Sequence, residues 1–83
     1  RMLEDAAEYL LLNVIRELAK NYKVSNETIH FMASFYRFSF AGVIFDWIEK
    51  GMHENPQKIV DQVAILMQGT FPSALERFEK AKM

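Results

Sequence analysis

The central part of this chain is a helix-length segment with apolar residues on two opposite sides. At about 100° per residue, one stripe is formed by Ile29, Ala33, Tyr36, Phe40, Val43, Ile44 and Trp47. The opposite stripe is formed by Phe31, Phe35, Phe38, Gly42 and Phe45. A surface helix of a small protein buries one such stripe against its own core. A helix with two stripes needs a further partner, and the simplest partner is a second copy of the same chain.

Composition supports the same expectation. The chain has 83 residues, which is enough for one small domain. Hydrophobic residues make up 51% and aromatic residues 13% of it, which excludes a disordered chain. A domain of this size leaves much of its surface in water. The excess of apolar residues therefore predicts an interface.

Charge and hydropathy limit the partners. The net charge is −1, with 10 basic and 11 acidic residues mixed along the chain, so no basic patch for DNA phosphates is visible. The longest weakly charged stretch, residues 25–41, contains His30 and Arg37 and is shorter than the ~20 apolar residues of a membrane span. We expect no membrane partner. Cysteine is absent, which is compatible with the cytoplasmic location that we expect.

The first two helices are predicted from periodicity and end signals. A first helix from about Leu3 to Asn21 carries one apolar stripe. This stripe consists of Leu3, Ala7, Leu10, Leu11, Val14, Ile15 and Leu18, whereas Tyr9 and Leu12 fall outside it. The central helix begins after a capping Ser25 or Asn26 and ends at Lys50, where Gly51 takes a left-handed conformation.

Two further helices complete the predicted all-α helical bundle. Asn55 caps a third helix that begins at Pro56 and ends near Gln68. Its apolar face is broad and is formed by Ile59, Val60, Val63, Ala64, Leu66 and Met67. Ser73 and Glu76 fit a capping box for a short last helix that reaches about Lys80. No strand pattern competes with these helices.

Residues that could bind a metal or take part in catalysis are few and scattered. His30 and His53 lie on different elements, whereas a zinc site needs three or four clustered ligands. No serine lies in a Gly-x-Ser-x-Gly turn, and no two carboxylates share an apolar face. We therefore expect no enzymatic activity, no metal and no cofactor.

Gly42 stands inside the central helix, where glycine costs about 1 kcal/mol relative to alanine. Close approach of another helix is a physical reason for tolerating this cost.

An ordered set of residues in the central and third helices resembles the C-terminal domain of TetR-family transcriptional regulators. The set consists of Phe35-Tyr36, Ser39, Ala41, Gly42, Val43-Ile44, Trp47, Gly51 and Pro56. The resemblance runs from Ile29 to Gly69, about half of the chain, and residues 1–24 add little to it. Within the family, the sequence is similar to regulators of dihydroxyacetone kinase operons.

The resemblance implies a homodimer in which the central and third helices of two chains form a four-helix bundle. Symmetric contact of this kind places the same faces opposite each other. The residues that we expect at the dimer interface are Phe40, Val43, Trp47, Ile59, Val63 and Leu66. The residues that we expect to bind a ligand are Phe31, Phe35 and Phe38. The periodicity by itself assigns neither apolar stripe of the central helix to the second copy.

The resemblance also implies a role in effector-responsive transcription. The effector would be a small apolar ligand or another protein. Residues 1–83 would form one C-terminal regulatory domain of a longer chain, and DNA would be contacted only through an upstream helix-turn-helix domain. An alternative of a different class is a stand-alone helical module that binds another protein and no small molecule.

Overall fold

The computed structural model describes all 83 residues and contains four α-helices and no strand. These are α1 (Met2–Ala19), α2 (Asn26–Glu49), α3 (Pro56–Met67) and α4 (Thr70–Lys80). The all-α prediction is confirmed, and each predicted helix is present with ends shifted by a few residues. None of the four helices combines the length and apolarity that crossing a bilayer requires.

Helices α1 and α2 form an antiparallel pair that supports the fold. Arg37 of α2 donates to Glu8 of α1 at 2.6 Å, and both side chains are about one quarter exposed. Further along, the Arg16 guanidinium donates to His30 Nε2 at 3.1 Å. Early residues of α1 thus lie beside late residues of α2, so the Glu8–Arg37 ion pair marks the register of the two helices.

The buried face of α1 is narrower than the predicted stripe. Its buried residues are Ala7, Leu11, Ile15 and Ala19, one row at four-residue spacing. Leu10 and Val14 were expected on this face but are exposed, whereas Leu12 packs against the core. Only α2 and α4 cover α1, and together they leave the Leu10 side of the helix in water.

Helix α4 completes the core. Phe71 and Leu75 of α4 join Leu11, Ile15 and Met32 in one buried cluster, and Leu75 is fully buried. The Phe71 ring lies edge-on to the Tyr36 ring, with centroids 5.3 Å apart. The last helix is therefore an integral layer of the domain.

The predicted capping box at Ser73 is wrong. Helix α4 begins four residues earlier, with a left-handed Gly69 as its N-cap, and Ser73 Oγ accepts from Arg77. Pro72 falls in the first helical turn, where backbone N–H groups have no intrahelical acceptor, so proline removes no hydrogen bond there. The earlier start brings Phe71 into the core.

The ends of α2 and α4 are joined by polar contacts. Ser25 caps α2 as predicted, because its hydroxyl accepts from the Thr28 N–H at 3.1 Å. The Met83 carbonyl accepts from the Ser25 N–H at 2.9 Å and from the Thr28 hydroxyl at 2.8 Å. Glu79 accepts from the Lys23 N–H at 2.8 Å. These bonds fix the end of α4 against the start of α2.

Helix α2 ends as its sequence predicts. Gly51 has φ +86°, the Met52 N–H donates to the Trp47 carbonyl, and the Gly51 N–H donates to the Ile48 carbonyl. This is the Schellman arrangement of a helix C-terminus.

Helix α3 starts at the predicted cap but is poorly anchored. Asn55 accepts from the Gln57 N–H, and Pro56 is the first helical residue. No residue of α3 is buried. Its apolar face lies along the second half of α2, where Val43 and Ile59 line the same depression. Within one chain, α3 makes few contacts with the other helices, and Met67 at its end packs against the core.

Leu75→Ala should reduce the free energy of unfolding by about 2–5 kcal/mol, because it leaves a cavity in a fully buried position. Leu10→Ala is the matched control, since Leu10 is 63% exposed, and should change stability by less than about 0.5 kcal/mol. Urea unfolding followed by circular dichroism measures both variants. Equal losses would contradict the placement of α4 in the core.

Gly42→Ala and Gly51→Ala should have opposite effects. A Cβ at Gly42 meets nothing within 4 Å, so alanine should stabilise the helix by about 0.4–1 kcal/mol. At Gly51 the left-handed backbone disfavours alanine, and a Cβ would lie 2.8 Å from His53 Nε2, so stability should fall. Thermal unfolding at one protein concentration compares them. A destabilising Gly42→Ala would indicate that a second chain approaches this position closely.

Candidate functional site

The second half of α2 and the exposed face of α3 form an apolar groove, which we call the α2–α3 groove. It has a volume of about 330 Å³, and its only polar lining residue is a serine. The lining residues are Ser39, Phe40, Val43 and Ile44 of α2, and Ile59, Val60, Val63, Leu66 and Met67 of α3. Leu66 is 80% exposed, an unusual position for a leucine of a folded domain.

The residues predicted for a dimer interface gather at this groove. Five of them line it directly: Phe40, Val43, Ile59, Val63 and Leu66. Trp47 lies at its end, in a depression shared with Val43 and Ile59, and its indole N–H donates to the Glu54 carbonyl at 2.6 Å. The structure thus places the six residues on one surface of a single chain.

A second apolar opening lies between α2 and α4, and we call it the α2–α4 cleft. It has a volume of about 410 Å³, and eight of its nine lining residues are hydrophobic. The lining residues are Phe31, Met32, Phe35 and Tyr36 of α2, followed by Ala74, Arg77, Phe78, Ala81 and Met83. A volume of this size falls within the range of small-molecule sites.

The predicted ligand-binding residues divide between two places. Phe31 and Phe35 line the α2–α4 cleft, with ring centroids 6.2 Å apart. Phe38 does not line it. The Arg37 guanidinium carbon lies 4.6 Å from the Phe38 ring centroid, and this pair borders a small polar depression at the start of α1. Phe38 follows Phe35 by three residues, which places it about 60° away around the axis of α2. This rotation is enough to take it out of the cleft and to bring it beside Arg37.

Arg37 contributes to the packing of α2 against α1 in addition to its contact with Phe38. It is partly buried between α1 and Phe38, where it pairs with Glu8, and its Nε is buried without a hydrogen-bond partner. Ala41, one helical turn after Arg37, is buried as well. This side of α2 therefore faces α1, which the helical pattern alone did not indicate because its residues are polar or small.

The α4 wall of the cleft was not assigned to a site by sequence reasoning. In the sequence, Arg77, Phe78 and Met83 belong to no motif that indicates a binding site. A Schellman arrangement places Met83 beside Phe78: Lys82 is left-handed, with φ +60°, and the Met83 N–H donates to the Phe78 carbonyl. The position of this α4 wall opposite Phe31 and Phe35 depends on how α4 docks against α2, which no local pattern encodes.

Charged groups lie at the edges of these surfaces. Asp46 and Lys50 form an exposed ion pair of 2.9 Å beside Trp47, and the hydrogen bond to Asp46 raises the pKa of Lys50 above its ordinary value. The α2–α3 groove between the two helices carries no charged lining residue. Its chemistry suits an apolar partner.

The fold is that of a small α-helical domain with two apolar openings on its surface. Residues 1–69 match the family model described as the C-terminal region of transcriptional regulators, the TetR family. The match spans most of the chain, so the chain belongs to this family and is part of a transcriptional regulator. Comparison with curated proteins and with solved structures gave no match.

The family match extends further than the resemblance seen in the sequence. It includes α1, where residues 1–24 were expected to add little, and it ends at Gly69, just before α4. Helix α1 supplies the buried row that packs against α2 and α4. The similarity to dihydroxyacetone kinase operon regulators stays a prediction.

Proposed function

We propose that this domain dimerises a TetR-family regulator and senses its effector. The observation that carries the proposal is the α2–α3 groove, an apolar surface without a charged lining residue. A second copy of the chain would cover this groove, with Leu66 and Val43 near the centre of the contact. An effector would bind in the α2–α4 cleft.

Burial energy supports the dimer. Each Å² of apolar surface removed from water contributes about 25 cal/mol. Helix α3 has no buried residue in a single chain, so it gains a hydrophobic environment only when a partner covers it. Obligate dimer interfaces bury more than about 2,000 Å² in total and resemble a domain core. The exposed aliphatic side chains of α3 are suited to such a contact.

Symmetry supports the form of the dimer. Helices α2 and α3 are joined by a short loop and expose one shared apolar surface. A two-fold axis would bring this surface against its own copy, so that two helices from each chain form a four-helix bundle. The charged pair Asp46 and Lys50 lies beside Trp47, a position that suits the polar rim of an interface.

An aromatic series offers a physical route from effector to dimer. Phe35 lies edge-on to Tyr36 at 5.2 Å, and Tyr36 lies edge-on to Phe71 at 5.3 Å. Phe71 is the second residue of α4, and Gly69 connects α4 to α3. A ligand that separates α2 from α4 would move the start of α4 and, through Gly69, the weakly anchored α3. Binding would then shift the population between two dimer arrangements.

DNA recognition, in this proposal, belongs to a separate helix-turn-helix domain of the regulator. The 10 basic and 11 acidic residues of the present chain are mixed along its length. Phosphate binding depends on clustered lysine and arginine side chains. The role of the C-terminal domain is to set the distance between two DNA-binding domains.

Leu66→Glu tests the dimer. Light scattering over a dilution series should give the mass of two wild-type chains, and Leu66→Glu should raise the dissociation constant by about two orders of magnitude, because a buried carboxylate without a partner costs several kcal/mol. Leu10→Glu is the matched control, since Leu10 is exposed on α1 and outside the groove. It should dimerise as the wild type does.

The emission of Trp47, the single tryptophan, provides a second measurement. It should shift to shorter wavelength as the wild-type dimer forms and stay constant in Leu66→Glu. A wild-type monomer at every concentration would refute the homodimer and favour a module that binds a different protein. Equal weakening by Leu10→Glu and Leu66→Glu would place the interface elsewhere.

A further inference from the structure

The α2–α4 cleft contains one charged side chain, Arg77, in an otherwise hydrophobic lining. Its guanidinium donates to Ser73 Oγ at 2.6 Å. Arg77 takes part in none of the five ion pairs of the chain, so no carboxylate neutralises it. Most of its five N–H donors are free for another acceptor.

The walls around Arg77 suit a hydrocarbon. Phe31 and Phe35 stand on the α2 side and are mostly exposed, while Phe78 and Met83 stand on the α4 side. Covering these side chains with an apolar chain or ring would remove their surface from water. The cleft therefore offers a long apolar surface with one cationic group.

We propose that the α2–α4 cleft binds an amphipathic monocarboxylic acid. The hydrocarbon lies against Phe31 and Phe35, and the carboxylate accepts hydrogen bonds from Arg77. A guanidinium matches the geometry of a carboxylate with two parallel N–H donors. A single cation suits a single negative charge better than a doubly charged phosphate. The inference rests on the proposed effector-binding function and names the chemical class of the effector.

The α4 side of this cleft lies beyond the residues that match the family model, which end at Gly69. Arg77 thus belongs to a part of the chain that family membership does not describe. The ligand class follows from the side chains of this chain alone.

Isothermal titration with two probes of equal chain length tests the proposal. Decanoic acid, below its micelle concentration, should bind the wild-type chain more tightly than decanol, its uncharged match. Arg77→Gln should weaken decanoate about tenfold or more, because hydrogen bonds to charged groups are the stronger class. The affinity for decanol should be almost unchanged by this substitution. Circular dichroism checks that the exposed substitution leaves the fold intact.

Two further variants locate the site. Lys80→Gln removes an exposed positive charge from the same helix but outside the cleft, and it should change decanoate binding by less than about twofold. Phe35→Ala removes a cleft wall and should weaken both probes. If Lys80→Gln weakened decanoate binding as much as Arg77→Gln does, the effect of Arg77 would come only from the positive charge of the helix. This result would refute the proposed contact.

The remaining outcomes separate the two proposals. Equal binding of decanoate and decanol, with no effect of Arg77→Gln but a loss in Phe35→Ala, would refute the carboxylate class and keep an effector site in the cleft. If neither probe bound, the carboxylate class would also be refuted. If other apolar ligands did not bind in the cleft either, the effector part of the proposed function would fail as well. Binding that Phe35→Ala leaves unchanged would place the ligand outside the cleft.

Discussion

The small interior of this domain determines the rest of its structure. Only 11 of the 83 residues are buried, and most of them lie where α1, α2 and α4 meet around Ile15 and Leu75. The molecule measures 44 × 26 × 17 Å, an elongated form with much surface for its volume. Since the chain is rich in apolar residues, many of them have to remain on the surface. Several of these surface residues line the α2–α3 groove and the α2–α4 cleft.

The register of α1 against α2 explains where the groove begins. Glu8 lies beside Arg37 in an antiparallel pair, so the first residue of α1, Met2, falls near Val43. Helix α2 has 24 residues and α1 has 18, so the last part of α2 extends past the end of α1. This overhang has only α3 beside it. Helix α2 therefore has most of its buried residues in its first half, and its second half is largely exposed.

Helix α4 connects the two halves of the proposed function. Its first turn carries Phe71 into the core, and its later turns form one wall of the cleft. Its preceding residue, the left-handed Gly69, joins it to α3 at the groove. The same helix thus lines the cleft and directly follows the helix that lines the groove, although the family match ends where α4 begins. In the proposed function, occupancy of the cleft acts on the groove through this connection.

The sequence by itself determined the four helices, the ends of most of them and the family. Local rules were sufficient to predict the helix ends at Ser25, Asn55, Pro56 and Gly51, because capping and the left-handed turn depend on a few neighbouring residues. Helical periodicity was sufficient to show that α2 has two apolar sides, and the ordered motif identified a TetR-type C-terminal domain, which the family match confirms. Periodicity also placed the predicted interface residues on one face of α2 and one face of α3.

Tertiary structure alone decided which apolar residues are buried. Leu10 and Leu11 are equally hydrophobic neighbours, yet only Leu11 faces α2 and α4. The start of α4 at Thr70, and with it the position of Arg77 beside Phe31 and Phe35, follows from docking of Phe71 into the core. Such juxtapositions join residues about forty positions apart along the chain. They arise from packing of whole helices, whereas capping and periodicity act within a few turns.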